Sequence, residues 1–304
     1  MKRQGITRRE ALLAAAALAA ISIRGLTEES KMISRRIPAS GEAMPVIGLG
    51  TYNVFDVAST TDNIATRKAV VEMLVDSGGH LIDTSPMYNR SEKVIGDIIA
   101  DGTDRDALFL ATKVWTDGRD AGMAQMRHSF ELMNTGVIDL IQVHNLRDTA
   151  THMASIRELQ EHKRVRYSGV THYTASALDT LESAMRDYRP QFIQINYSLA
   201  EREAEHRVLP LAQDLGMAVL INRPFQAGRL FRAVAGRDLP DWAQEFAASW
   251  GQFFLKFIVS HPAVTCVIPA TGKPQHMTDN LAAGFGALPD ASLRERMVTF
   301  IEAL

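Results

Sequence analysis

Eight short apolar runs recur along this chain, each pair separated by enough sequence for one helix. They fall at 46–49, 81–82, 108–111, 138–143, 167–170, 192–195, 218–221 and 264–268. Between them, apolar residues recur at helical spacing in 67–75, 123–133, 154–162, 175–186, 206–215, 246–259 and 277–285. Continuous apolar strands alternating with helices predict a parallel sheet covered on its faces, because a strand with one wet face would alternate polar and apolar residues. Eight such units suggest a (β/α)₈ TIM barrel, whose usual size of roughly 250 residues suits the chain beyond its leader. An open doubly wound sheet is the alternative. No composition shift or Pro/Gly/Ser-rich linker divides residues 31–304, which therefore read as a single domain. Residues 223–242, with Pro224, Gly228, Gly236 and Pro240, read as a loop insertion after the seventh strand.

The first residues look like an address. Lys2 and Arg3 begin a basic segment, Arg8-Arg9 follow Thr7, and an Ala/Leu-rich run occupies 11–23. That run is shorter than the roughly 20 residues needed to span a bilayer, so a cleaved signal at 1–26 is expected and a stable membrane anchor is not. The paired arginines before Leu12-Leu13 resemble a twin-arginine export signal, with Ala11 where a large apolar residue is usual. Cleavage is open to Ala17, Ala19 or Ala20. The resemblance implies a periplasmic or otherwise exported protein that meets the twin-arginine export machinery. That route carries folded proteins, so a cofactor would be loaded before transport.

Charge and cysteine content remove other classes. A net charge of -2 offers no basic field for nucleic acid. The single cysteine, Cys266, excludes an internal disulfide and lies in an apolar run, where a small buried hydrophobe is expected. His144 and His152 have no further ligand at metal spacing, so no metal site is expected. Gly48-Leu49-Gly50 begins like a dinucleotide-binding loop but lacks the third glycine.

The strand ends carry the chemistry. Asp83 follows the second run, Lys113 the third, and His144 the fourth, while Gln194 with Asn196 marks the sixth and Asn222 the seventh. Singly, Asp83 could cap a turn, Lys113 could be solvated, and His144 could be a core histidine. On a barrel these positions share the C-terminal rim, where active sites are built.

Asp83-Thr84-Ser85-Pro86-Met87-Tyr88-Asn89-Arg90-Ser91-Glu92, Thr112-Lys113-Val114-Trp115 and Gln142-Val143-His144-Asn145 resemble the aldo-keto reductases. So do 44–51, Gly169-Val170-Thr171-His172 and Ile268-Pro269, in the family's order from about residue 44 to 300. The resemblance implies an NAD(P)-dependent oxidoreductase reducing an aldehyde or ketone to an alcohol. Hydride comes from nicotinamide, Tyr88 gives the proton, Lys113 lowers its pKa, Asp83 holds Lys113, and His144 steadies the carbonyl oxygen. It further implies Thr51, Asp83, Thr171, His172, Gln194 and Asn222 around the nicotinamide, with Thr-His where Ser-Asn is frequent and Asn222 where an aromatic is common. Thr271, Lys273, His276 and Asn280 would meet the adenosine end, favouring NADP(H) over NAD(H). Tyr52 and Trp115 would line the wall for a small-molecule carbonyl substrate. Two rivals remain: a nicotinamide-nucleotide-binding sensor or partner subunit with little turnover, and another barrel enzyme, such as a lyase, using Lys113 and His144.

Overall fold

The computed structural model describes residues 31–304, and the chain enters through a short antiparallel hairpin, β1 (Ser34–Arg36) with β2 (Ala43–Pro45). Eight parallel strands follow: β3 (Leu49–Gly50), β4 (Leu81–Asp83), β5 (Phe109–Val114), β6 (Ile138–His144), β7 (Val165–Thr171), β8 (Phe192–Asn196), β9 (Ala218–Asn222) and β10 (Cys266–Val267). Each pairs with its neighbour in sequence. Parallel bridges Ile47–Val267 and Gly50–Ala270 then join the last strand to the first. The sheet is closed, which decides for the barrel over the open doubly wound sheet. Closure brings backbones unusually near: a Cβ at Gly50 would lie 2.8 Å from the Ile268 carbonyl oxygen, so glycine is required there.

Ten helices cover the outside: α1 (Thr61–Asp76), α2 (Ser91–Ala100), α3 (Arg119–Leu132), α4 (Thr149–Glu161), α5 (Leu178–Tyr188), α6 (Val208–Asp214), α7 (Arg229–Ala233), α8 (Trp250–Val259), α9 (Pro274–Ala282) and α10 (Ala291–Glu302), counted among the described residues. In α1 the Thr60 side chain caps the Asn63 N–H, and Val70, Val71 and Leu74 form the buried stripe. The stretch 223–242 differs from the loop expected there. It holds α7 and a 3₁₀ turn at Asp241–Ala243, because Leu230 and Val234 sit one helical turn apart and both bury.

Two cores result. One lies between sheet and helices. The other fills the barrel with Leu81, Phe109, Ala111, Leu140, Tyr167, Phe192, Ala218, Leu220, Cys266 and Ile268. Hairpin residues Ile37 and Met44 join this inner cluster and seal its N-terminal end. Tyr167 fixes the seal by donating its hydroxyl to Ser40 Oγ at 2.7 Å and Glu42 Oε2 at 2.8 Å. Each large apolar side chain so buried contributes about 1.5–3 kcal/mol.

The period-two alternation of a strand now places the polar residues. One step beyond Leu81, Ala111, Leu140, Phe192 and Leu220 on the same inward rows come Asp83, Lys113, Gln142, Gln194 and Asn222. Met32–Leu304 form one compact unit. The expected leader at 1–26 lies outside the described residues. Among the described residues no helix is long and apolar enough to cross a membrane.

Candidate active site

Asp83 is the hub of the C-terminal mouth. Its Oδ2 accepts from Lys113 Nζ at 2.7 Å, and its Oδ1 accepts from Gln194 Nε2 at 2.7 Å and Gln142 Nε2 at 3.2 Å. Lys113 donates again to the Thr84 carbonyl at 2.7 Å. Both charged residues are buried, Lys113 at 0% and Asp83 at 2% exposure. A pair removed from water so completely needs every remaining lone pair met, and the two glutamines supply that. Gln142 lies within the motif Gln142-Val143-His144-Asn145, and its partnership with Asp83 has no local signature.

Tyr88 stands in the turn before α2, where its carbonyl accepts from Ser91 Oγ at 2.8 Å. Its ring centroid is 5.0 Å from Lys113 Nζ, 5.0 Å from the Tyr52 ring and 6.3 Å from the His144 ring. The four residues expected to act together thus share one cluster.

Their electrostatics differ from expectation in one respect. Burial raises the Tyr88 phenol above its ordinary value of 10.0, outweighing the charge and hydrogen bonding of Lys113, which pull it down. The sequence reading had Lys113 winning. Burial acts on Lys113 too, disfavouring its ammonium, but Asp83 and Tyr88 overcome this and hold its pKa above 10.5. His144 is pushed down to about 3, first by burial and then by the charges of Lys113 and His172.

These directions set the pH dependence. Tyr88 must carry its proton to act as an acid, and its raised pKa keeps it protonated well past neutrality. His144 stays neutral down to strongly acid conditions. The expected kcat/KM for carbonyl reduction is therefore flat from about pH 5 to 9, since that ratio reports the free protein's groups. An acid limb near 6.5, measured with a stable substrate, would place His144 in water.

Around this cluster lie the residues assigned to the nicotinamide. Thr51 donates its backbone N–H at 3.1 Å and its hydroxyl at 3.0 Å to the Asp83 carbonyl. Gln194 Oε1 accepts from Thr171 Oγ1 at 3.2 Å and from Asn222 Nδ2 at 3.5 Å. His172 Nδ1 is committed to the next turn, accepting from Tyr173 N at 3.0 Å and Thr174 N at 3.3 Å. Thr171 and Gln194 are likewise engaged with the protein. Asn222 Oδ1 instead is buried without a partner, and an amide donor fits it.

The adenosine-end residues occupy the loop after β10 and the start of α9. Thr271 Oγ1 accepts from Lys273 N at 3.2 Å. Lys273 is the N-cap of α9 with no side-chain cap, and Pro274 follows at the first turn. Lys273 and His276 are exposed, and Asn280 is buried. Arg67 of α1 adds a cation that no motif marks. Its Nε donates to the Val54 carbonyl at 3.0 Å, and a Cβ at Gly272 would come within 3.1 Å of that nitrogen. The distance in sequence hides the pairing; closure of the barrel, which sets the first helix beside the last loop, reveals it.

At the mouth, Tyr52 is 56% exposed and Met87 41%. Trp115 lies under Arg147, whose guanidinium is 4.7 Å from the ring centroid and is held by Asp117 at 2.9 Å. Among the described residues no group of three or more His, Cys, Asp or Glu is placed to hold a metal ion. Grooves of about 450 and 530 Å³ lie at the opposite end of the barrel, around Thr135 and Gly136. In one of them Arg105 and Arg166 are already paired with Asp139.

The model of the family described as "Aldo/keto reductase family" matches residues 46–295. Aldo-keto reductase YhdN of Bacillus subtilis (strain 168) is 31% identical over 193 residues, 58% of this chain and 56% of that protein's length. Methylglyoxal reductase YeaE of Escherichia coli (strain K12) is 28% identical over 261 residues, 83% of this chain and 89% of that protein. An aldo-keto reductase from Klebsiella pneumoniae in complex with NADPH superposes with TM-score 0.75 at 23% identity, covering 90% of this chain and 95% of that one.

Proposed function

The chain belongs to the aldo/keto reductase family, and on that premise we propose that it is an exported carbonyl reductase using NADP(H) in preference to NAD(H). One observation carries the reading: a buried Lys113–Asp83 pair 2.7 Å apart, with the Tyr88 ring centroid 5.0 Å from the Lys113 nitrogen at the open mouth of a barrel. A reduced nicotinamide, when bound, supplies a hydride to the carbonyl carbon. The unpartnered Asn222 Oδ1 fits the carboxamide amino group, and Thr51, Thr171, His172 and Gln194 frame that position. Lys273 and Arg67 gather positive charge near the N-terminus of α9, with the His276 ring exposed beside them, an arrangement suited to a phosphate and favouring NADP(H).

The residues of this chain carry the rest. As negative charge builds on the carbonyl oxygen, the Tyr88 O–H breaks and its proton passes to that oxygen. The phenolate left behind is stabilised by the Lys113 ammonium, which Asp83 keeps charged. His144, kept neutral, presents a ring nitrogen to the same oxygen without repelling Lys113. Tyr52, Met87 and Trp115 give the mouth an apolar rim. This suits small aldehydes and ketones, and the name of the Escherichia coli relative supports a 2-oxoaldehyde among them.

Titration of the purified protein with NADPH and NADH, followed by nucleotide fluorescence, tests the cofactor reading. Loss of reduced-nicotinamide absorbance across a panel of aldehydes and ketones tests the reaction. Tighter binding of NADPH with turnover is expected. Binding without turnover supports a sensor or partner subunit instead, and absence of both overturns the proposal. Export rests on the leader sequence alone. Replacing Arg8→Lys and Arg9→Lys together is expected to leave the protein in the cytoplasm, and unchanged export in a fractionation assay rejects the twin-arginine route.

A further inference from the structure

We propose that Ser85 is a positioning residue that fixes the tautomer of His144, so that the imidazole hydrogen sits on Nε2 and faces the substrate oxygen. Ser85 lies between Asp83 and Tyr88 and is fully buried. Its Oγ is 3.3 Å from His144 Nδ1 and also accepts from the Met87 N–H at 3.2 Å. Among the described residues His144 Nε2 has no protein partner.

A neutral imidazole has one N–H, and two arrangements are possible. If it sits on Nδ1, that nitrogen donates to Ser85 Oγ, and the Ser85 hydroxyl hydrogen is left buried with nothing to meet. Such an unmade bond is disfavoured. If Ser85 donates to Nδ1 instead, the Met87 N–H, the Ser85 O–H and the Nδ1 lone pair are all satisfied. The ring hydrogen then lies on Nε2, directed to the cleft. Burial first, and then the neighbouring charge of Lys113, disfavours a second ring proton and keeps this choice binary. Tyr88, the other titratable group against the ring, has its pKa raised by burial.

The inference rests on the reductase reading only for the meaning of the Nε2 hydrogen; the tautomer is measured without turnover. The full chain is labelled with 15N-histidine, and the His144 ring signals are identified by difference from His144→Gln. The expected parent spectrum shows hydrogen on Nε2. In Ser85→Ala the tautomer should become mixed, kcat should fall about tenfold with little change in KM, and Ser85→Thr should restore both. An Nδ1–H signal in the parent overturns the proposal. So does a Ser85→Ala protein whose tautomer and kcat both match the parent, or one whose tautomer shifts at unchanged kcat. Should Ser85→Ala not fold, Ser85→Cys replaces it with the same expectation, because a thiol is a weak donor. If no carbonyl compound is turned over at all, the spectrum still decides the tautomer.

Discussion

Tyr88→Phe is expected to lower carbonyl turnover by about 10²–10⁴-fold, the usual contribution of a positioned general acid. NADPH affinity should stay nearly unchanged. The substitution removes one oxygen and leaves the ring, so its contacts with Tyr52 at 5.0 Å and His144 at 6.3 Å persist. Loss of activity then reports the missing proton and not a collapsed mouth. Single-turnover rates with bound NADPH, alongside a fluorescence titration, separate the two. A variant within about tenfold of the parent would move the proton source to another group.

Lys113→Met should be felt first in stability. Lys113 is fully buried, and its removal leaves the Asp83 carboxylate in a dry interior. Losing one member of a buried pair costs about 3–5 kcal/mol. Gln142 and Gln194 still donate to Asp83 Oδ1, so the low end is expected, a fall in Tm of about 6–12 °C. Adding Asp83→Leu removes the stranded charge and should recover part of the loss. Thermal and denaturant midpoints of the single and double variants test this. A double variant no more stable than Lys113→Met would mean that Asp83 is not desolvated as the geometry requires.

Much of this was legible in the residue pattern. The barrel followed from eight apolar runs spaced by helical segments. Asp83, Lys113 and His144 followed from polar residues at strand ends, since the inward rows holding Leu81 and Ala111 continue to Asp83 and Lys113 at the mouth. Tyr88, in the turn before α2, followed from the family resemblance. The hairpin at 34–45 was not legible: its strands are three residues long and show no usable alternation. α7 was hidden by the Gly and Pro residues around it. Within the site, roles that depend on who meets whom escaped, including Gln142 on Asp83 and Arg67 beside Gly272. The direction of the Tyr88 shift was missed for the same reason. A neighbouring lysine can be read from a motif, but the depth at which both groups sit is a property of the assembled barrel.

The sealed N-terminal end of the barrel has a kinetic consequence. With Ile37 and Met44 stopping the far end and the inner cluster filling the barrel between, the Asp83, Lys113, Tyr88 and His144 cluster meets solvent at the C-terminal mouth and not through the barrel. On the proposed reading, the proton that Tyr88 surrenders in each cycle is replaced at the mouth by which the alcohol departs, so recharging the acid and clearing the product share one opening.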